Sequence, residues 1–441
     1  MKTKRNSRRA RSSRRNFLKT TGTLTAGVAL GAQRSARAQT ETLAMNGGPK
    51  AVTVPYGDAS KWPQYNEDER EAILKLVDSP SYNQIKPLED EWVDFLQVPY
   101  AKAHCNGTSA LMAMFFALDL PPGSEIMVPS YTFFATIMPM RFFDLVPVFV
   151  DINPRTLNFD LEDAKKRLTP NTKAVLPVHW IGLPADMDHI CDWADEKGLI
   201  VLEDAAHSQG ATLKGKHMGT WSRMSIASFQ MSKALPGIEG GMGMYQDKED
   251  YERATALGNY DMPAGMDKNG NWYKYKGSGL GLKFRMHPMT AALVRCQMRD
   301  LVERNTRGRK QLRALNERLL HLPGLYEQSS GRNDMNRIHY AWNMLFIDEK
   351  EAGMTRDAAV KALKAEGVHV NGLHYTLQHD LPVYREAQWW HHPPVIPDLP
   401  GSVQANATSI ALPFFTSPVP ELCDQYVKAF EKVWAHRSEL A

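Results

Sequence analysis

The run Leu199-Ile-Val-Leu-Glu-Asp-Ala-Ala-His207 leaves an acid at the end of an apolar strand. The run Ser228-Phe-Gln-Met-Ser-Lys233 sets a lysine just past a second short strand, 29 residues beyond Asp204. A pyridoxal phosphate (PLP) site needs this pair. A lysine amine forms the Schiff base with the cofactor, and a carboxylate holds the pyridine nitrogen protonated so that the ring can accept electrons. Either residue alone reads more simply, the acid as a turn cap and the lysine as a solvated surface group. Their neighbours decide between the two readings.

From Ala103 to Tyr245 short apolar runs alternate with amphipathic ones. Strands are predicted at Glu125–Pro129, Val146–Asp151, Lys173–Val178, Leu199–Leu202 and Met224–Phe229. Helices are predicted between them at Thr108–Leu118, Phe133–Phe143, Leu161–Leu168 and Asp186–Lys197. This alternation predicts an α/β fold with a mostly parallel sheet covered on both faces. Ligands of such sheets sit beyond the carboxyl ends of the strands, where Asp204 and Lys233 both fall. Residues 246–332 read as largely helical apart from a Gly/Asn/Tyr-rich stretch over 259–282. An apolar strand at Ala341–Phe346, a helix at Thr355–Glu366, a Pro/His/Trp-rich loop and a terminal helix then predict a smaller α+β domain. The expected boundaries are 39–332 for a cofactor-binding large domain and 333–441 for the small one.

His104-Cys-Asn-Gly-Thr-Ser-Ala-Leu111 opens the first helix of the sheet domain. Gly107 permits a close turn, and the free N–H groups around Thr108 and Ser109 make a phosphate seat at the helix start. Ser228 offers a second hydroxyl to the same phosphate. In Pro129-Ser-Tyr-Thr-Phe-Phe134, Phe133 is the expected stacking partner of a flat ring, with Tyr131 behind it. His207 is expected to hydrogen-bond the phenolic oxygen of the ring. His179 also follows a strand end, and either histidine could be structural. His374, His379 and the pair His391-His392 match no common metal-ligand spacing, so no metal is expected.

Residues 1–38 carry eleven Lys or Arg and no acid. They include the twin-arginine pattern Ser13-Arg14-Arg15-Asn16-Phe17-Leu18-Lys19, a weakly apolar block over Thr20–Ala32 and a small-x-small site at Ala36-Arg37-Ala38. This predicts a signal peptide for twin-arginine export over 1–38, and hence a periplasmic or secreted protein. The formal charge of +4 belongs to that segment, and without it the chain carries −7. No basic surface then argues for nucleic acid, and no long apolar run after residue 40 argues for a membrane. Cys105, Cys191, Cys296 and Cys423 have no paired spacing and make no disulfide framework.

Taken in order, seven segments resemble the DegT family of PLP-dependent aminotransferases. They are Asn106-Gly-Thr-Ser-Ala-Leu111, Pro129-Ser-Tyr-Thr-Phe133, Pro147-Val-Phe-Val-Asp-Ile152, Glu203-Asp-Ala-Ala-His207, Ser228–Lys233, Glu239-Gly-Gly241 and Phe284-Arg-Met286. Gly372-Leu-His-Tyr375 and Leu412-Pro413 follow late in the chain. The resemblance spans about Trp62 to Trp434. Pro177-Val-His-Trp-Ile-Gly-Leu-Pro-Ala-Asp-Met-Asp188 and Ser228–Lys233 are most similar to the branch holding glutamine:scyllo-inosose aminotransferases and 3-amino-5-hydroxybenzoate synthases. The resemblance implies the aspartate-aminotransferase fold type, a homodimer, and PLP on Lys233 with Asp204 against the pyridinium. Two positions depart from the family pattern. Ile238 stands where the first glycine of Gly-Glu-Gly-Gly is usual, which predicts a changed local backbone, because isoleucine resists positive φ. Lys283 stands where the family has the asparagine that reaches the cofactor phosphate of the neighbouring subunit, and is expected to make that contact as a point charge.

The sequence thus predicts an aminotransferase that moves an amino group from glutamine or glutamate to a keto-sugar or keto-cyclitol. Export favours a free or envelope-bound acceptor over a nucleotide-linked one. Elimination or racemisation on the same cofactor, and an exported non-catalytic sugar-binding relative, are the alternatives left open by the residues.

Overall fold

The computed structural model describes residues 41–263 and 265–441. The predicted export signal lies outside the described residues.

The strands of the first part of the chain are β1 (Tyr100–His104), β2 (Glu125–Pro129), β3 (Val146–Val150), β4 (Thr172–Val175), β5 (Ile200–Asp204), β6 (Thr212–Leu213), β7 (Lys216–His217), β8 (Met224–Ser228) and β9 (Gly241–Tyr245). Seven of them form one sheet in the order β1-β9-β8-β5-β4-β2-β3. The pairs β2–β3, β2–β4, β4–β5 and β5–β8 are parallel, and only β9 runs against its neighbours. Every residue of β2, β8 and β9 is buried, as a sheet covered on both faces requires. Side chains alternate between two apolar clusters. Met127, Val201 and Ala227 join one with Trp92 and Phe229, whereas Ile126, Leu202 and Ile226 join the other with Met114 and Phe115.

The register brings the carboxyl ends of the parallel strands to one edge. Ser228 and His104 both pair with Gly241 there, and Asp204 is the last residue of β5. Gly241 has a specific reason to be glycine. A Cβ at this position would lie 2.4 Å from the Asn106 carbonyl oxygen and 2.7 Å from the Gly107 nitrogen. The start of β9 and the start of the helix Gly107–Leu118 can therefore meet only without a side chain.

Further along come β10 (Leu325–Glu327), β11 (Met335–Asn336), β12 (Trp342–Ile347) and β13 (Ser409–Pro413). The order β10-β12-β13 makes an antiparallel three-stranded sheet, and β11 pairs instead with β6. Leu345, Ile347, Ile410 and Leu412 pack with Leu363 of the helix Arg356–Ala365 and Phe430 of the helix Pro420–Ala435. Thr355 caps the first of these helices by accepting from the Ala358 N–H at 3.2 Å.

Two local expectations are corrected. The predicted helix over Phe133–Phe143 is two short 3₁₀ segments, Phe134–Thr136 and Met138–Phe143, the second with Pro139 in its first turn. The backbone at Ile238 does not avoid positive φ but adopts 69°. Its loop is fixed from both sides. Gly237 N–H donates to the Phe229 carbonyl at 2.7 Å, Phe229 N–H to Gly240 at 2.8 Å, and Met231 N–H to Ile238 at 2.9 Å. These bonds hold the loop in place, and the isoleucine takes up the left-handed conformation.

Candidate active site

At the sheet's carboxyl edge lies a cavity of about 590 Å³. Asp204, Lys233, Gly107, Thr108, Ser228, Phe133 and His207 all line it, although they come from four separate stretches of chain. Six of them are brought there by strand ends or the turns that follow them, and Phe133 by the segment after β2.

Asp204 is buried at 4 % exposure. Its carboxylate accepts from the Ala206 N–H at 3.0 Å and from the Thr136 hydroxyl at 2.8 Å. Thr132 supports Thr136 through a 2.8 Å hydroxyl contact. Among the described residues no cation lies within ion-pair distance of Asp204. Burial pushes its pKa up, against the pull of the Ala206 N–H, Thr136 and the Lys233 charge. A carboxyl in this state gains from any cation placed beside it.

Lys233 is half-buried, and its Nζ lies 4.7 Å from the centre of the Tyr340 ring. Its backbone is anchored on both sides: its N–H donates to the Gln230 carbonyl at 2.8 Å, and its carbonyl accepts from the Trp62 indole at 3.0 Å. The Tyr340 hydroxyl is 2.9 Å from the Ser232 hydroxyl, which ties the loop before Lys233 to the chain leading into β12.

The two candidate histidines part company. His179 is fully satisfied: its Nε2 sits 3.0 Å from Glu203, and its Nδ1 accepts from the Ala185 N–H at 3.1 Å. It does not line the cavity. His207 does, its Nδ1 is buried with no partner, and its ring stacks on Tyr340 at 4.5 Å between centres. Burial first, then the Lys233 charge, holds His207 well below its ordinary pKa.

The helix start is built for a close approach. A Cβ at Gly107 would come within 3.1 Å of the Ser228 Cβ, so a larger residue would separate the helix from the strand end. Asn106 caps the helix by accepting from the Ser109 N–H at 2.8 Å. Ser109 itself is buried, with its hydroxyl 3.1 Å from Cys105 Sγ, and it is not among the cavity's lining residues. Lys283 is exposed and likewise outside the cavity. Phe133 is at the cavity wall, 53 % exposed and beside Phe134 at 4.4 Å between ring centres. Tyr131 is fully buried against Trp180 and Tyr375.

Sequence reasoning missed Thr136, Tyr340 and Trp342. Thr136 lay inside a predicted amphipathic helix, where a threonine one turn after Thr132 carries no distinguishing mark. Tyr340 is more than 100 residues from Lys233 in the chain, and only its place just before a predicted strand hinted at a strand-end position.

Residues 63–430 match the model of the DegT/DnrJ/EryC1/StrS aminotransferase family. The chain belongs to that family. It is 31 % identical to a UDP-N-acetyl-3-dehydro-α-D-glucosamine 3-aminotransferase of Acidithiobacillus ferrooxidans, over 80 % of this chain and 89 % of the relative. It is 29 % identical to the spore coat polysaccharide biosynthesis protein SpsC of Bacillus subtilis, over 84 % of this chain and 95 % of the relative. Among solved structures, DesI in the presence of its TDP-sugar product matches with a TM-score of 0.73 at 28 % identity, covering 90 % of this chain and 96 % of DesI. A 3-amino-5-hydroxybenzoic acid synthase matches with a TM-score of 0.71 at 26 % identity, covering 84 % and 97 %. This family member is a PLP-dependent aminotransferase of the mostly parallel α/β type.

The residues present fit the cofactor. A buried, cation-free carboxyl lies at one part of the cavity wall, a lysine amine at another, and a glycine-closed helix start at a third. His207 adds a buried ring nitrogen without a partner.

Proposed function

We propose that this protein transfers an amino group from glutamine or glutamate to a keto-sugar or keto-cyclitol. The observation that carries the reading is the single cavity that Asp204, Lys233 and the Gly107–Thr108 helix start share. PLP, when bound, supplies an electron sink and a carbonyl that carries the amino group between substrates. Lys233 would hold the cofactor covalently through its amine, and that amine, when free, would be the group in the cavity that accepts and returns a proton. Asp204 keeps a proton on the ring nitrogen. His207 would donate a hydrogen bond to the cofactor's phenolic oxygen, and Phe133 would pack against its ring. The Gly107 and Thr108 N–H groups, with the Thr108 and Ser228 hydroxyls, bind the phosphate. Ser109 contributes through the helix start rather than through its hydroxyl.

The acceptor class is supported by the relatives, one named for a 3-dehydro sugar nucleotide and another solved with a TDP-sugar product. The twin-arginine pattern over residues 13–19 supports export to the periplasm or beyond, where a free or envelope-bound sugar is the more accessible acceptor. The enzyme acts as a homodimer in which Lys283 serves the phosphate site of the neighbouring subunit. Lys283→Ala then lowers PLP affinity, and unchanged affinity contradicts that role.

The visible absorbance of the purified protein tests the reading. Loss of the cofactor's lysine-bound band on adding glutamine or glutamate, absent in Lys233→Ala, supports it and names the donor. A lysine-bound band that persists while keto acid and ammonia accumulate without a carbonyl acceptor favours elimination instead. No band after incubation with PLP contradicts it.

A further inference from the structure

A second cavity, of about 710 Å³, meets the first at Ser232, Lys233, Tyr340 and Trp342, which line both. The two differ in charge. Asp204 and Glu239 line the first, whereas no Asp or Glu lines the second, where Lys233 is joined by Arg304 and Lys364. We propose that this second cavity is an anion-binding arm of the active site. It seats a carboxylate or phosphate of a substrate whose reacting carbon reaches Lys233. The inference rests on the aminotransferase reading and adds to it the residues that select the substrate's anionic end.

Arg304 is the central group of this cavity. Its helix, Leu301–Leu319, pairs Arg307 with Glu303, Arg313 with Glu317 and Arg318 with Asp424. Arg304 has no carboxylate within ion-pair distance among the described residues. It donates one hydrogen bond, from Nη2 to the Ala234 carbonyl at 2.7 Å, and its guanidinium stands 5.2 Å from the centre of the Trp62 ring. A guanidinium has five N–H donors, so most of its capacity is uncommitted. Burial lowers its pKa to about 10, and the Asp300 and Glu69 charges do not offset it. Arg304 and Lys233 are also held by the same short segment. Arg304 bonds the residue after Lys233, and Trp62, beneath the guanidinium, donates to the Lys233 carbonyl at 3.0 Å.

The rest of the wall agrees. Lys364 is exposed and forms no ion pair among the described residues. His339, which also lines the cavity, has a buried Nδ1 without a partner. An arginine able to bind a carboxylate or phosphate through two parallel hydrogen bonds, with a lysine as a second charge, is the common chemistry of anion recognition.

The test uses the PLP-loaded protein, whose own phosphate seat is filled. Inorganic phosphate and, separately, glutarate are titrated in while the cofactor's visible band and tryptophan fluorescence are followed, since Trp62 and Trp342 line the cavity. Saturable binding of at least one anion is expected. It should weaken about tenfold in Lys364→Glu and in Arg304→Gln, the loss of one charged contact, and stay unchanged in the remote charge control Lys197→Glu. Saturation by glutarate alone supports a carboxylate seat, which the amino donor would fill. Saturation by phosphate alone supports a phosphate seat, which the acceptor would fill. Absence of saturation, or equal affinities in all variants, with the cofactor band intact, overturns the inference and leaves the aminotransferase reading standing. A wild-type protein that carries no cofactor band overturns both.

Discussion

Glu203 and Asp204 are adjacent buried acids on one strand, and the protein treats them in opposite ways. Strand alternation points them to different faces. Glu203 is saturated. It accepts from the N–H groups of Gly219, Trp221 and Ser222 at 2.8–3.0 Å, from the Ser222 hydroxyl at 2.9 Å, and meets His179 Nε2 at 3.0 Å. Burial pushes its pKa up, but the His179 contact and these donors outweigh burial and leave it below its ordinary value. Asp204 has only two donors, and burial wins. Glu203 therefore fastens the Gly219–Ser222 turn to the sheet. Asp204 is left short of partners at the wall of the cavity, where a ring-nitrogen proton can complete it. One acid has a full set of partners within the fold, and the other has two.

The largest test removes the group that Asp204 works with. Lys233→Ala should lower kcat by about 10⁴-fold, the upper range for loss of a proton-transferring residue, while leaving urea stability near wild type. Asp204→Asn should lower kcat by about 10³-fold, within that same range. It should leave the cofactor-free protein at least as stable in urea, because it removes a poorly compensated buried charge. Glu203→Gln should do the reverse. It should cost about 3 kcal/mol in urea unfolding, because the amide nitrogen must face N–H donors, with the cofactor band of the folded fraction unchanged. If both acid variants lose stability equally, the contrast between them fails.

Thr136→Val sharpens the contrast at lower amplitude. Loss of one of Asp204's two donors should weaken PLP binding by about fivefold, the effect of a single hydrogen bond of about 1 kcal/mol, read by equilibrium dialysis. The pH dependence of the cofactor-free protein gives the finest test, and the two acids carry opposite signs. Asp204 has a folded pKa above its ordinary 3.8. Its destabilising effect is absent below that value and complete above the folded pKa, so the stability advantage of Asp204→Asn should widen as pH rises through that interval. Glu203 has a folded pKa below its ordinary 4.5. Its contribution is full above that value and lost as pH falls through the folded pKa, so the deficit of Glu203→Gln should shrink on acidification.

The same strand shows how much was legible in the sequence. The sheet's strands were readable because fully buried parallel strands are short continuous apolar runs, and an acid or lysine just past such a run stands out. Asp204 and Lys233 were read this way, His207 from its place three residues after Asp204 and Gly107 from a helix-start motif, and the structure brings all four to one cavity. The anchoring role of Glu203 was not found, since its donors come from a turn 16 to 19 residues on and its face of the strand cannot be told from a short run. Thr136 was hidden for a related reason. Its segment has helical spacing, but the backbone takes 3₁₀ turns that bring the hydroxyl to Asp204. Ser109 shows the limit of a capping motif. The pattern locates the helix start, but side-chain direction depends on the Cys105 contact. At Ile238 residue preference gave the wrong backbone, because loop hydrogen bonds outweighed about 1–2 kcal/mol of left-handed strain.

The most direct measurement is the ¹⁵N chemical shift of ring-labelled PLP bound to the wild type, Asp204→Asn and Glu203→Gln, followed across the neutral pH range. The account predicts a protonated ring nitrogen throughout in the wild type and in Glu203→Gln, and an unprotonated one in Asp204→Asn. The same shift in all three proteins would contradict the division of labour between the two acids and remove Asp204 from the site.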